Sequence, residues 1–200
     1  MDGLSNLTYL QACSARKGIV NMAISMHQMS VGVFTLFLGN LSDMIDHAAV
    51  HAEKHNIDPA ILLNARLYPN MYNLVRQVGE SIRHAVTACA LLAGIDPPVF
   101  PESEPDIAEL KARIATAKNF IVSVPAAQID GTEDKQVVFT FKNGSTRSFD
   151  GQSLLLTFSV PQFFFHVTTA YDILRHSGVE LVKRDFLGKA RTAPQTGASA

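Results

Sequence analysis

Near its C-terminal end the chain reads Pro161-Gln-Phe-Phe-Phe-His166-Val-Thr-Thr-Ala-Tyr171-Asp-Ile-Leu-Arg-His176-Ser-Gly178. Apolar residues recur at three- and four-residue intervals, the spacing of one helix face. Gly178 is the residue type that ends a helix in the left-handed conformation. Gln162, His166, Thr169 and Ile173 share a stripe, flanked by the phenylalanines at 163, 164 and 165. A single histidine among aromatics is a hydrogen-bonded core residue, a pocket base or a metal ligand. A second histidine one turn earlier would complete a metal-binding pair; glutamine stands at 162 and leaves the three readings open.

Upstream of this stretch, Asp150 is placed to cap the helix, which is expected from Gln152 to about Ser177. Pro161 falls in its middle, where it is expected to kink the helix and free the Thr157 carbonyl, at about 3 kcal/mol relative to alanine. Earlier still the period changes. Gln136-Val-Val-Phe-Thr-Phe141 and Ser145-Thr-Arg-Ser-Phe149 flank Lys142-Asn143-Gly144, and Asn-Gly between β-prone runs signals a hairpin, placed at about 136–149. Two strands alone are marginal, so the hairpin must lean on helices.

Three more helical patterns precede it. The first covers residues 25–55, with Met26, Met29, Val33, Phe37, Asn40, Leu41, Met44 and Ala48 as its stripe. A short turn of helix follows from Asp58-Pro59 to Leu63, with Asp58 as cap and Pro59 in the first helical position. The second long helix is expected to open at Pro69-Asn70, to carry Leu74, Val78, Ile82, Ala85, Cys89 and Leu92 inward, and to end at Gly94. Pro97, Pro98 and Pro101 stiffen the loop after it. The third begins near Pro105-Asp106 with Ser103 or Glu104 as cap, buries Ile107, Leu110, Ile114, Ala117, Phe120 and Ile121, and ends before Pro125. The fold class is therefore all-α: a four-helix bundle with a small β-hairpin between the third and fourth helices, in which sites are built inside from facing helices.

Bulk composition narrows the function. The chain has 200 residues, 17 basic against 18 acidic side chains and a formal net charge of -1. That balance gives no basic surplus for a nucleic-acid partner and no polybasic run for anionic lipid. The apolar runs are too short or too interrupted to span a bilayer. Two cysteines, Cys13 and Cys89, form neither a disulfide framework nor a CxxC knuckle, which suits a reduced cytoplasmic setting. Residues 1–21 show little periodicity and precede Met22, itself a plausible start, so they are expected to be a loose extension; 22–188 form the domain and 189–200 a disordered tail.

Other candidates surround the His166 stripe. His47, His51 and His55 stack at four-residue spacing late in the first helix, where a solvated face beside the negative helix end accounts for them as well as a metal does. Arg66 lies just before the second helix as a clamp for carboxylate or phosphate, and Arg76, Gln77 and Glu80 lie in its first turns, with Gln77 at the core-facing edge. Tyr171 and Thr168 follow His166 by about one turn. His27, His84 and His176 rank lower. There is no GxSxG, HExxH, Walker loop or dinucleotide fingerprint.

The run Met22-Ala-Ile-Ser-Met26, the segment Leu63-Asn-Ala-Arg66-Leu67-x-Pro69-x-Met71 and the closing Phe165-His166-Val-Thr-Thr-Ala-Tyr171 to Lys183-Arg184-Asp185-Phe186-Leu187-Gly188 resemble the domain-of-unknown-function family nineteen ninety-three, a branch of the DinB/YfiT-like metalloenzyme superfamily. The resemblance covers about residues 22–188. It implies a DinB-type bundle. It also implies a metal held by one histidine of the second helix and a His-x-x-x-His pair of the fourth, in metal-dependent thiol transferases and related hydrolases. On this chain the pair falls at Gln162 and His166, and the second-helix position near Gln77. One of three histidines survives on that register, a poor set for a transition metal.

Three functions compete. The first is an unknown small molecule in a pocket between helices two and four, with His166 as base, Gln77, Gln162, Arg66 and Tyr171 as binding residues, a degenerate metal site and no cofactor. The second is a DinB/YfiT-type transferase or hydrolase in which His166 and a further histidine or Glu80 hold zinc or nickel. The third is a non-catalytic bundle, with a homodimer as its expected state. A second histidine or a carboxylate beside His166 favours the second.

Overall fold

A computed structural model describes residues 24–100, 106–141 and 143–189. The expected extension at 1–21, the start at Met22, the proposed caps Ser103 and Glu104, and the tail at 189–200 apart from Lys189 lie outside them.

Four long helices form the body. A π-helical segment, Gln28–Gly32, runs directly into α1, Val33–His55. A short α2, Pro59–Asn64, follows, with the Asp58 side chain accepting from Ala60 N and Pro59 in the first turn. The second long helix, α3, spans Leu74–Ala93 and ends on Gly94 at φ 72°. It begins later than the Pro69-Asn70 expectation, because Asn73 supplies the cap and accepts from Arg76 N. The third long helix, α4, spans Ile107–Ser123 and is capped by Asp106, which accepts from Glu109 N, rather than by an earlier residue. A short α5, Ala126–Ile129, leads to the hairpin of β1, Gln136–Thr140, and β2, Thr146–Asp150. The strands are antiparallel, with Gln136 opposite Asp150 and Thr140 opposite Thr146.

After the hairpin, Asp150 accepts from Ser153 N and starts α6, Gly151–Ser153. A second π-helical segment, Leu154–Ser159, continues it into α7, Val160–His176. Pro161 thus stands in the middle of the unbroken helical run 151–176, as expected, just after the π segment. Proline lacks an N–H and clashes with the carbonyl four residues back in an α-turn. Here the turn in front of it is wide, with Val160 N–H bonding to Leu155 O five residues back. A last short helix, α8, Lys183–Leu187, lies on α1, where Asn40 Nδ2 donates to Phe186 O at 2.9 Å.

The long helices touch in the ring order α1, α4, α3, α7, and the most extensive contact joins α3 to α7. Phe34, Leu38, Leu41, Met44 and Ile45 of α1 meet Leu110, Ile114 and Ile121 of α4, Leu74, Val78 and Leu92 of α3, and Phe163, Val167 and Leu174 of α7 in one core. Phe34 and Phe163 pack edge to face at 4.9 Å. The stripe of α1 keeps its expected face at Asn40, Leu41, Met44 and Ala48, which are buried, and departs from it at the start of the helix. Phe34 and Leu38 are buried while Val33 and Phe37 are half-buried, because the π turn before Val33 breaks the 3.6-residue phase.

The hairpin packs on α3 and on the second π segment. Val137 and Phe139 point inward, and the Phe139, Phe141 and Phe149 rings surround Phe158 at 4.9, 6.0 and 5.1 Å. Its attachment is close enough to need a glycine. A Cβ on Gly151 would lie 2.0 Å from the Thr132 carbonyl oxygen. Among the described residues no helix is long and apolar enough to cross a membrane.

Candidate functional site

The site forms where α3 faces α7. On α3, Gln77, Glu80 and His84 recur at three- and four-residue spacing and share one face. All three are buried, in a helix whose other inward residues are apolar apart from Ser81. The facing residue of α7 is His166, 6% exposed.

The hydrogen bonds fix the chemistry of each side chain. Gln77 Nε2 donates to the Tyr72 carbonyl at 3.2 Å, so its Oε1 faces His166 and accepts from Nδ1 at 2.7 Å. The His166 proton therefore sits on Nδ1, and Nε2 keeps its lone pair. His84 lies beside it, with ring centroids 5.8 Å apart and planes 15° from parallel. An arginine only donates, so His84 Nε2 accepts from Arg83 at 3.3 Å. His84 Nδ1 is buried and has no partner among the described residues. Glu80 is held from both sides, by Arg76 Nε at 2.8 Å and Arg83 Nε at 2.6 Å. Donor atoms of Glu80, His84 and His166 lie within 4.8 Å of one another.

Burial governs the titration. It is the main cause that pushes His84 down to about 3, with the Arg83 and His166 charges adding and Glu80 opposing. Burial likewise lowers His166, with Glu80 raising it and Arg83 and Arg76 lowering it. Both rings are neutral at pH 7, the form in which imidazole binds a metal.

Aromatic rings wall the cluster. Tyr72 stacks near His166 at 6.5 Å, and His84 lies parallel to Phe139 of the hairpin at 6.0 Å and edge-on to Phe158 at 5.5 Å. The hairpin thus closes one side of the site. On the Glu80 and Tyr72 side an open cavity of about 460 Å³ begins, lined also by Arg76, Arg83 and residues of the hairpin.

The expected residues distribute unevenly. His166 and Gln77 are bonded to each other. Gln162 is half-buried, and its side chain forms no hydrogen bond among the described residues. Arg66 is exposed, donates to the Met71 carbonyl at 3.4 Å and lines a separate cavity with Asp58, Asn73 and Arg113. Tyr171 packs on Phe186 of α8 at 5.7 Å. The residue missing from the sequence register is His84. Its signal was the polar spacing of 77, 80 and 84 on an apolar helix face.

The residues present fit a divalent metal. Two neutral imidazoles and a carboxylate are a common set for borderline transition metals. The Gln77 bond to Nδ1 is the kind of outer contact that aims a ligand histidine. His84 Nδ1 carries the proton and has no acceptor here, so His84 would ligate either through Nε2 in place of the Arg83 contact or through Nδ1 once the proton moves to Nε2. The two arginines on Glu80 counter its charge, so the histidines would carry most of the affinity for an ion held there.

An α-helical bundle with a hairpin before its last long helix is a DinB-like fold. The class is supported by a solved structure, a DinB family member protein from Shewanella denitrificans, to which the chain is 32% identical, with 84% of this chain and 95% of that chain covered and a TM-score of 0.75. The chain itself belongs to the family described as Domain of unknown function (DUF1993), which matches residues 26–187. No curated protein matches the sequence.

Proposed function

We propose that the protein is a metal-dependent hydrolase or transferase of the DinB type whose centre is Glu80, His84 and His166. The observation that carries this is the convergence of two histidines and a carboxylate, from two helices, within 4.8 Å in the interior. A divalent ion bound there would supply Lewis-acid activation of a water or substrate oxygen. The chain's own residues do the rest. Gln77 holds the His166 tautomer that leaves Nε2 free. Arg76 and Arg83 fix the Glu80 carboxylate from either side, and the phenylalanines of β1 and the π segment keep bulk water off His84.

Metal analysis of untagged protein, after equilibration with zinc or nickel and removal of loose ions, tests this. Roughly one equivalent is expected, abolished in His166→Ala and in His84→Ala with helical circular dichroism retained. A wild type that holds no metal, or variants that hold as much as the wild type, would sink the proposal.

A further inference from the structure

Among the described residues, three arginines lie over aromatic rings, and all three line the cavity at the mouth of the site. Arg76 sits 4.7 Å from the Tyr72 ring centroid, Arg83 5.4 Å from Phe139 and Arg147 5.7 Å from Phe141. Stacking leaves the planar guanidinium edges, where the N–H groups are, free to point elsewhere. Arg76 and Arg83 each spend the Nε–H on Glu80. Arg147, exposed on β2, has no carboxylate partner among the described residues. The cavity wall therefore carries three cations against the single carboxylate of Glu80. The basic groups line a concavity of about 460 Å³, the size of a small-molecule site, and not an extended stripe of the kind a nucleic acid follows.

We propose that this cavity, between α3 and the hairpin, binds an anionic group of the substrate, a carboxylate or a phosphate, with Arg147 as the principal clamp and the Tyr72 and Phe141 rings flanking it. The two arginines on α3 reach both the anion and Glu80, so they join the binding group to the reacting centre. That the anion belongs to a substrate rests on the metal-centre reading; the binding itself does not. The same geometry limits the hairpin to a second duty. Phe139 covers the centre while Arg147, from the paired strand, selects what approaches it.

Calorimetric titration of chelator-treated protein with phenyl phosphate, benzoate and the neutral benzyl alcohol tests the inference. At least one anion is expected to bind about tenfold or more tightly than the alcohol, the scale of one charge-assisted contact. Arg147→Ala should weaken that anion about tenfold with the melting temperature unchanged, and Arg147→Lys, which keeps the charge without the fork, should recover part of the loss. The tighter of the two anions identifies the group as phosphate or carboxylate. Anions that bind no better than the alcohol, or not at all, or an Arg147→Ala variant that binds them as well as the wild type, would overturn it. Anion binding in a protein that takes up no metal would retain the cavity and remove the metal centre; metal uptake without anion binding would do the reverse.

Discussion

His51 and His55 bring their rings within 4.5 Å of each other at the end of α1, and His84 and His166 bring theirs within 5.8 Å inside the bundle. The first pair is a product of helix geometry alone, since residues four apart are neighbours on any helix. Its partner His55 is exposed and water solvates it. The second pair exists only because α3 packs on α7. It is buried, its members hold separate contacts in Gln77 and Arg83, and a carboxylate completes it. Proximity therefore says little by itself. What separates a site from a surface is the desolvation that the fold imposes and the partners that offset it.

Glu80 gives the largest test of that contrast. Glu80→Ala leaves Arg76 and Arg83 without their shared carboxylate beside a buried cluster, and a loss of about 3 kcal/mol in chemical denaturation is expected. At the solvated end, Lys54 and Glu180 also form an ion pair, but their side chains are 59% and 81% exposed. Glu180→Ala should change stability by no more than about 0.5 kcal/mol. Equal losses from the two variants would erase the distinction.

Acid should find the buried pair next. In the metal-free protein His84 stays neutral down to about 3, whereas in the unfolded chain a histidine titrates near 6.5. Between those values the unfolded state holds the extra proton, so stability is full above the upper value and falls as pH drops. The slope from this group approaches about 1.4 kcal/mol per pH unit, and His166 acts in the same direction. Denaturation midpoints measured between pH 7 and pH 4 should fall more gently in His84→Asn; an unchanged slope would mean that the ring is hydrated.

A smaller effect is expected at Gln77. Gln77→Ala removes the acceptor of His166 Nδ1 and should cost about 1 to 2 kcal/mol. It should also lower metal affinity by about tenfold or more while leaving the ligand atoms intact. The smallest effect belongs to the outer pair. The double variant of His51→Ala and His55→Ala should elute earlier from an immobilised nickel column and still retain its tightly bound metal.

Much of this architecture can be read from local chemistry. Asp58, Gly94 and Asp150 stop and start helices through their own side-chain or backbone conformation, and Asn143-Gly144 marks the hairpin, so these features need no knowledge of the rest of the chain. The inward face of α3 is legible for the same reason, being an uninterrupted α-helix. The face of α1 is legible from Asn40 onward, where Leu41, Met44 and Ala48 are buried, but not at its start, where the wide turn at Gln28–Gly32 shifts the phase and no residue type demands such a turn. In the site, His166 and Gln77 stand out because each breaks an apolar stripe. His84 does so too, but its meaning depends on the pairing of α3 with α7, 82 positions along the chain from His84 to His166. Arg147 is beyond local reading altogether: only the packing of the hairpin on α3 places it beside Arg76 and Arg83.

The wide turn at Leu154–Ser159 has a consequence for how chain length relates to the site. Adding one residue to an α-helix swings everything downstream by about 100°. A π turn absorbs that residue without the swing. Here the helix starts from a fixed point, the Asp150 cap on the hairpin, and must deliver His166 to a fixed partner, Gln77 on α3. The segment between them acts as an angular spacer. It lets the strand side and the histidine side each keep its own facing, so a chain one residue shorter at exposed Thr157 would present the same ring to the same partners, provided that Pro161 is replaced by a residue with an N–H.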